Sequence, residues 1–277
     1  VAEHGLAARN LTRHDTWAPS RHHGPEAPTS ESLNFHHPFL LHPYIALAQA
    51  DGDESPWRSR AVPLAFSVLL LLGLWTFVSE HRGQPLAALT VLAFVLTPLT
   101  VAFAHLPDHQ VVCMAYLMWF FVGLGRWLRR PKPLSFALWT ACALLCGLTD
   151  WPWYPISFLL VVVLGWKAWR SEDVVPSTQT GRRRRLLVVV VLLTALVLLP
   201  FAGHFLWAGV TGRMSDMFEA LRDRSATASN LYLVDVGIWR VLHLHTPPIF
   251  IATLVWFSGR LSAPRWDLFS IGLLSMF

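Results

Sequence analysis

The chain of 277 residues is 54% hydrophobic and 14% charged, carries a net charge of +5, and contains 14 Trp and 17 Phe. Soluble domains hold about a quarter of their residues as charged side chains, so this composition excludes an ordinary soluble domain. The basic surplus is read as an asymmetry between membrane loops and not as a nucleic-acid footprint.

Taken in chain order, residues 1–60 are polar and rich in His, Pro and Arg, and are expected to form an extracytoplasmic first loop with amphipathic segments. Apolar runs follow at about 61–79, 86–104, 110–127, 134–149, 154–169, 186–207 and 247–258, with a further one starting near 267. A helix needs about 20 mostly apolar residues to cross the hydrocarbon core, and helices satisfy their own backbone there. The predicted fold is therefore an all-α integral membrane protein, a polytopic bundle of about 7–8 spans with outer-face loops carrying interfacial helices. Residues 61–207 form its core, 170–185 a flexible basic cytoplasmic linker, 208–246 a long extracytoplasmic loop, and 247–277 further truncated helices. Pro63, Pro98 and Pro200 fall near helix ends or kinks. Since the chain starts at Val1 and stops inside an apolar run at Phe277, it reads as a fragment of a longer bundle.

Loop charge sets the orientation. The segments 80–84, 126–133, 167–185 and 258–267 hold 13 of the 22 Lys and Arg, including the run 182–185, and are assigned to the cytoplasm. Residues 1–60, the turns at 105–109 and 149–153, and the loop 208–246 then share the outer face. All histidines but His81 go with them. In the long loop, Met214, Met217, Phe218 and Leu221 recur at helical spacing among charged residues, as expected of an interfacial helix over 213–224.

Ionisable groups at membrane depth tend to line cavities or pathways. Asp108 lies in a turn too short to fold by itself, between His105 and His109; it suits either an active-site acid or a helix N-cap. A metal pair from His105 and His109 needs a helix running through Pro107, which Pro disfavours. Asp150 lies at a second outer boundary, where Trp151, Trp153 and Tyr154 suit an aromatic belt. His36, His37 and His42 surround a short apolar stretch, and Glu54, Arg58 and Arg60 precede the first full span. Cys113, Cys142 and Cys146 fall in apolar segments and are expected to be buried packing residues. No phosphate-loop, dinucleotide or nucleophile-elbow motif occurs.

The succession "HHPFLLHPYIALA", "RAVPLAFSVLLLLGLWTFV" and "AALTVLAFVLTPLTVAFAHLPDHQVVCMAYLMWFFVGLGRW" resembles membrane glycosyltransferases of the C superfamily. Its nearest likeness is to the dolichyl-phosphate-mannose protein mannosyltransferases and the aminoarabinose transferases. The matching elements are His37-Pro38, Arg60, Pro98 followed by Asp108, the segment "GLTDWPWY", and "GLAARNLTRHD", similar to the family's helix after its catalytic acid. The family's carboxylate precedes that helix, which leaves Glu3 as the acid within reach, and the family's Lys before Pro is His37 here.

The resemblance implies transfer of a hexose or pentose from a polyprenyl-phosphate donor to an acceptor hydroxyl or amine on a lipid, glycan or protein. The reaction would occur at the extracytoplasmic face of a bacterial inner membrane, with inversion. Asp108 and Glu3 would be the catalytic acids, His36, His37, Arg60 and Asp150 the donor and phosphate contacts, and His105, His109, Glu54 and Trp151 the cavity lining. Membrane lipids are expected partners and nucleic acid is not. No residue set forms a metal site, although the resemblance leaves a divalent cation open as a cofactor. Two other classes fit a helical bundle with buried acids: a secondary transporter, which would place charges nearer the midplane, and a non-catalytic membrane assembly protein.

Overall fold

The computed structural model describes residues 2–14, 40–52, 55–97, 104, 106–151, 153–170 and 176–219. Among these the regular structure is entirely helical: α1 Ala2–His14, α2 Leu41–Ala48, α3 Pro56–Arg82, α4 Gln84–Val95, α5 His109–Arg129, α6 Pro133–Thr149, α7 Trp153–Arg170 and α8 Pro176–Val210. A further helical turn covers 214–219. The predicted runs at 247–258 and beyond 267 lie outside the described residues.

Among the described residues three helices are long and apolar enough to cross a membrane: Pro56–Arg82, His109–Arg129 and the Arg183–Val210 part of α8. At 1.5 Å per residue the first extends about 40 Å, enough to cover a hydrocarbon core of about 30 Å. α4, α6 and the main part of α7 are shorter apolar helices. In α5, 67% of the apolar window is buried, against 44% in α3 and 22% in α8, so α5 is the central helix and α8 keeps an open flank. Hydroxyls in these apolar stretches bond back to carbonyls one turn earlier, as Thr76 does to Leu72, Thr140 to Phe136 and Thr194 to Val190. That bond removes an otherwise unpaired polar group from an apolar surrounding.

Close helix approach depends on glycine at a few positions. A Cβ on Gly123 of α5 would stand 2.8 Å from the backbone nitrogen of Trp139 on α6, and one on Gly147 of α6 would stand 2.6 Å from the Pro200 ring on α8. Small residues permit such approach in bilayers, where burial of apolar surface gives helices little reason to associate. Aromatic rings fill the space beside these contacts. Phe120 meets Trp139 and Trp153 edge to face, at ring separations of 6.3 and 5.2 Å. Cys113, Cys142 and Cys146 are buried free thiols, as their apolar setting predicts.

The sequence expectations differ from the structure at several places. Trp153, expected in an interface belt, is completely buried against Phe120 because it opens α7 on the side facing α5 and α6. The predicted linker 170–185 is helical from Pro176, a favoured first position of a helix, and only 171–175 lie outside the described residues. α3 starts at Pro56, ahead of the apolar run, so Arg58 and Arg60 are helical. Pro63 and Pro200 sit inside α3 and α8.

The two ends of the bundle are chemically distinct. At one end Glu80 of α3 pairs with Arg126 and Arg129 of α5, both at 2.5 Å. Arg129 also donates to His81 at 3.2 Å, and Arg185 of α8 donates to the Leu128 carbonyl at 3.0 Å. This is the basic end. Glu80→Gln is expected to lower stability by about 1 kcal/mol, the scale of partly exposed ion pairs. Thermal melts at low and high salt would check this, and a loss independent of salt would contradict an electrostatic role.

Candidate functional site

The opposite end collects the histidines and aspartates. α5 begins only at His109, after an extended Asp108 whose carboxylate accepts the Gln110 N–H at 3.1 Å. Asp108 is therefore an N-cap, and it remains half-exposed. A cap carboxylate uses one oxygen on the helix and keeps lone pairs for another donor. The chain at Pro107 and Asp108 is not helical, so no helix runs through this turn into His109; His105 lies outside the described residues, and among the described residues no group of three metal-ligating side chains occurs.

His109 is buried, and its Nδ1–H donates to the Thr149 carbonyl at the end of α6, at 3.1 Å. A carbonyl can only accept, so this bond places the proton on Nδ1 and leaves Nε2 an acceptor in the neutral ring. The His42 ring of α2 stands edge-on to His109, with centroids 5.3 Å apart, and is buried as well. The Leu40 N–H donates to the Leu148 carbonyl at 3.1 Å, so α2 is tied to the ends of both α5 and α6. Two turns along α5, Tyr116 meets Tyr44 of α2 through their hydroxyls at 2.5 Å, and Phe66 of α3 packs on both rings.

Asp150 closes α6. Its N–H bonds to the Cys146 carbonyl at 3.2 Å, its carboxylate accepts the Trp151 N–H at 2.8 Å, and the residue is buried. Trp151 stands edge-on to His204 of α8, with centroids 5.3 Å apart. These bonds give Asp150 and Trp151 a structural part in turning the chain from α6 into α7.

The junction of α1, α2 and α3 adds neutral polar groups. Asn10, Gln49 and Ser59 are all buried, and the Gln49 amide donates to Ser59 at 3.2 Å. Arg60, the next residue of α3, is half-buried. Its Nε is shielded from solvent and has no hydrogen-bond partner among the described residues. A shielded guanidinium N–H without an acceptor is costly unless a ligand or another group meets it.

Of the residues singled out from sequence, Asp108, His109, Asp150, Trp151 and Arg60 come to this one end. Glu3 belongs to α1, but its side chain lies outside the described residues, as do His36, His37, Glu54 and His105 entirely. The buried polar junction and the tyrosine pair escaped the sequence reading. A usable signal was the scarcity of tyrosine, four residues against 17 Phe, because a phenol in an apolar stretch needs a hydrogen-bond partner.

No family model, curated protein or solved structure matches the chain. Its chemistry therefore has to come from these residues. The described end joins a half-exposed carboxylate, two neutral-capable imidazoles, two phenols and a guanidinium. That set can accept a proton, donate hydrogen bonds to oxygen, and neutralise an anion.

Proposed function

We propose that the chain is part of a membrane glycosyltransferase that moves a hexose or pentose from a polyprenyl monophosphate to a hydroxyl or amine on a lipid, glycan or protein. The observation that carries this reading is Arg60: a shielded guanidinium nitrogen without an acceptor among the described residues, at the same end of the bundle as a half-exposed Asp108. A phosphate supplies the missing acceptor, and guanidinium matches phosphate oxygens in geometry and charge.

In this mechanism the donor's polyprenyl tail stays in the bilayer and its phosphate meets Arg60. The acceptor oxygen or nitrogen attacks the anomeric carbon, and the carbon–oxygen bond to phosphate breaks with its electron pair going to phosphate. Asp108, or Glu3 on α1, takes the proton lost by the acceptor, and Arg60 offsets the charge gathering on the leaving phosphate. A single displacement inverts the anomeric centre. His36, His37 and Asp150 stand as donor-side groups, and His105, His109, Glu54 and Trp151 as lining. This reading puts the reaction on the extracytoplasmic face of a bacterial inner membrane; the concentration of Lys and Arg in the opposite set of loops supports that orientation.

The test uses the full-length protein in liposomes with a panel of polyprenyl-phosphate sugars and nucleotide sugars. Transfer from lipid-linked donors and none from nucleotide sugars is the expected result. Absence of transfer from every donor, accompanied by solute flux, would replace the enzyme with a transporter.

A further inference from the structure

A second feature lies at the basic end, on the flank formed by α7 and α8. Two ring contacts set the register of this antiparallel pair: Trp151 with His204, and Tyr154 with Phe201 at 5.5 Å. Both helices advance equally per residue, so Trp169 on α7 lies level with Leu186 on α8. On α8, Leu187, Val191 and Leu198 recur at helical spacing and are all exposed. The same stripe begins with Arg184, an exposed cation. On α7 the exposed stripe runs through Val162 and ends in Trp166 and Trp169, whose rings meet at 5.2 Å. Two parallel apolar stripes thus finish at the same level in a guanidinium and a pair of tryptophans.

We infer that this flank binds an anionic phospholipid. The acyl chains lie along the two stripes, the indoles sit at headgroup level where their amphipathic rings are favoured, and Arg184 takes the phosphate. A neutral zwitterionic lipid offers the same chains without net charge, so the cation selects between them. The proposal is independent of the transferase chemistry at the other end.

The experiment uses the full-length protein in detergent with phosphatidylglycerol or phosphatidylcholine added, and counts retained lipid by native mass spectrometry. Phosphatidylglycerol should be retained about fivefold better, the effect of one cation beside an anionic headgroup. Arg184→Gln should remove that preference and Trp169→Ala should weaken retention. Arg130→Gln, on the α5–α6 turn, should leave retention unchanged, and Arg184→Lys should keep most of the preference while controlling for folding. Equal retention of the two lipids, or equal loss from Arg130→Gln and Arg184→Gln, overturns the site. Competition by inorganic phosphate as effective as that by phosphatidylglycerol also overturns it, because an anion site would then need no lipid.

Discussion

Gly123→Ala is expected to destabilise the bundle by about 1–3 kcal/mol, the usual cost of overpacking a close contact. The added Cβ meets the Trp139 backbone nitrogen at 2.8 Å and the Leu138 Cγ at 3.2 Å. A side-chain tip can swing away, whereas the α6 backbone moves only with the whole helix. Alanine also favours a helix over glycine by about 1 kcal/mol, so the measured loss is what remains after that gain. Gly165→Ala isolates the gain alone, since nothing lies within 4 Å of its added Cβ. Unfolding by increasing mole fraction of denaturing detergent should therefore move Gly123→Ala and Gly165→Ala in opposite directions. A bulkier Gly123→Leu should lose the folded state altogether. If Gly123→Ala unfolds together with the wild type, the α5–α6 approach is looser than described.

The helices were legible because membrane helices announce themselves by composition: five of the apolar runs overlap α3, α5, α6, α7 and α8 closely. Their ends were less legible. A hydropathy window stops at the first charges, but a helix continues through arginine without cost, so α3 and α8 extend beyond their windows through Arg58, Arg60 and the 182–185 run. Trp153 shows a different limit. Interface belts are recognised by residue type, and type says nothing about which way the first residue of a helix points; Trp153 points into the core.

Of the stretch 208–246, expected to be a long loop, only the start is described. α8 ends at Val210, and the turn after it passes through Gly212, whose φ of +71° suits glycine, with the Arg213 N–H bonded to the Ala208 carbonyl and the Gly212 N–H to the Gly209 carbonyl. This reversal turns the helical stretch 214–219 back onto the end of α8, where Met217 is buried near Ala208 while Phe218 stays exposed. The periodicity of Met214 and Met217 foretold a helix there; the remainder of 208–246 lies outside the described residues.

The candidate site divides in the same way. Asp108 before an apolar helix is a local pattern, and its capping role follows from sequence. The encounters of His42 with His109 and of Tyr44 with Tyr116 join residues far apart in the chain, and no local spacing encodes them. They arise because α2, too short to span, packs beside α3 and α5 and reaches the end of α6. Arg60 was readable as a cation at a boundary, but its lack of an acceptor among the described residues is a property of packing.

The largest effect on activity is expected at Asp108, and its capping role dictates which substitution reveals it. Alanine would remove the cap and cost about 1 kcal/mol of helix stability, mixing folding with chemistry. Asparagine caps about as well as aspartate, keeping the bond to Gln110 while deleting the negative charge. In the liposome transfer assay Asp108→Asn should melt like the wild type yet turn over about 10²–10⁴-fold more slowly, the range for loss of a general base. Arg60→Gln tests the partner role. It should slow transfer by about 10²-fold or more, as loss of one donor to a developing oxyanion does, and the loss should be smaller for a donor whose leaving group needs less charge neutralisation. Wild-type turnover in Asp108→Asn would confine that residue to its cap and move the proton to Glu3. Undiminished turnover in Arg60→Gln would remove the observation on which the transferase reading rests.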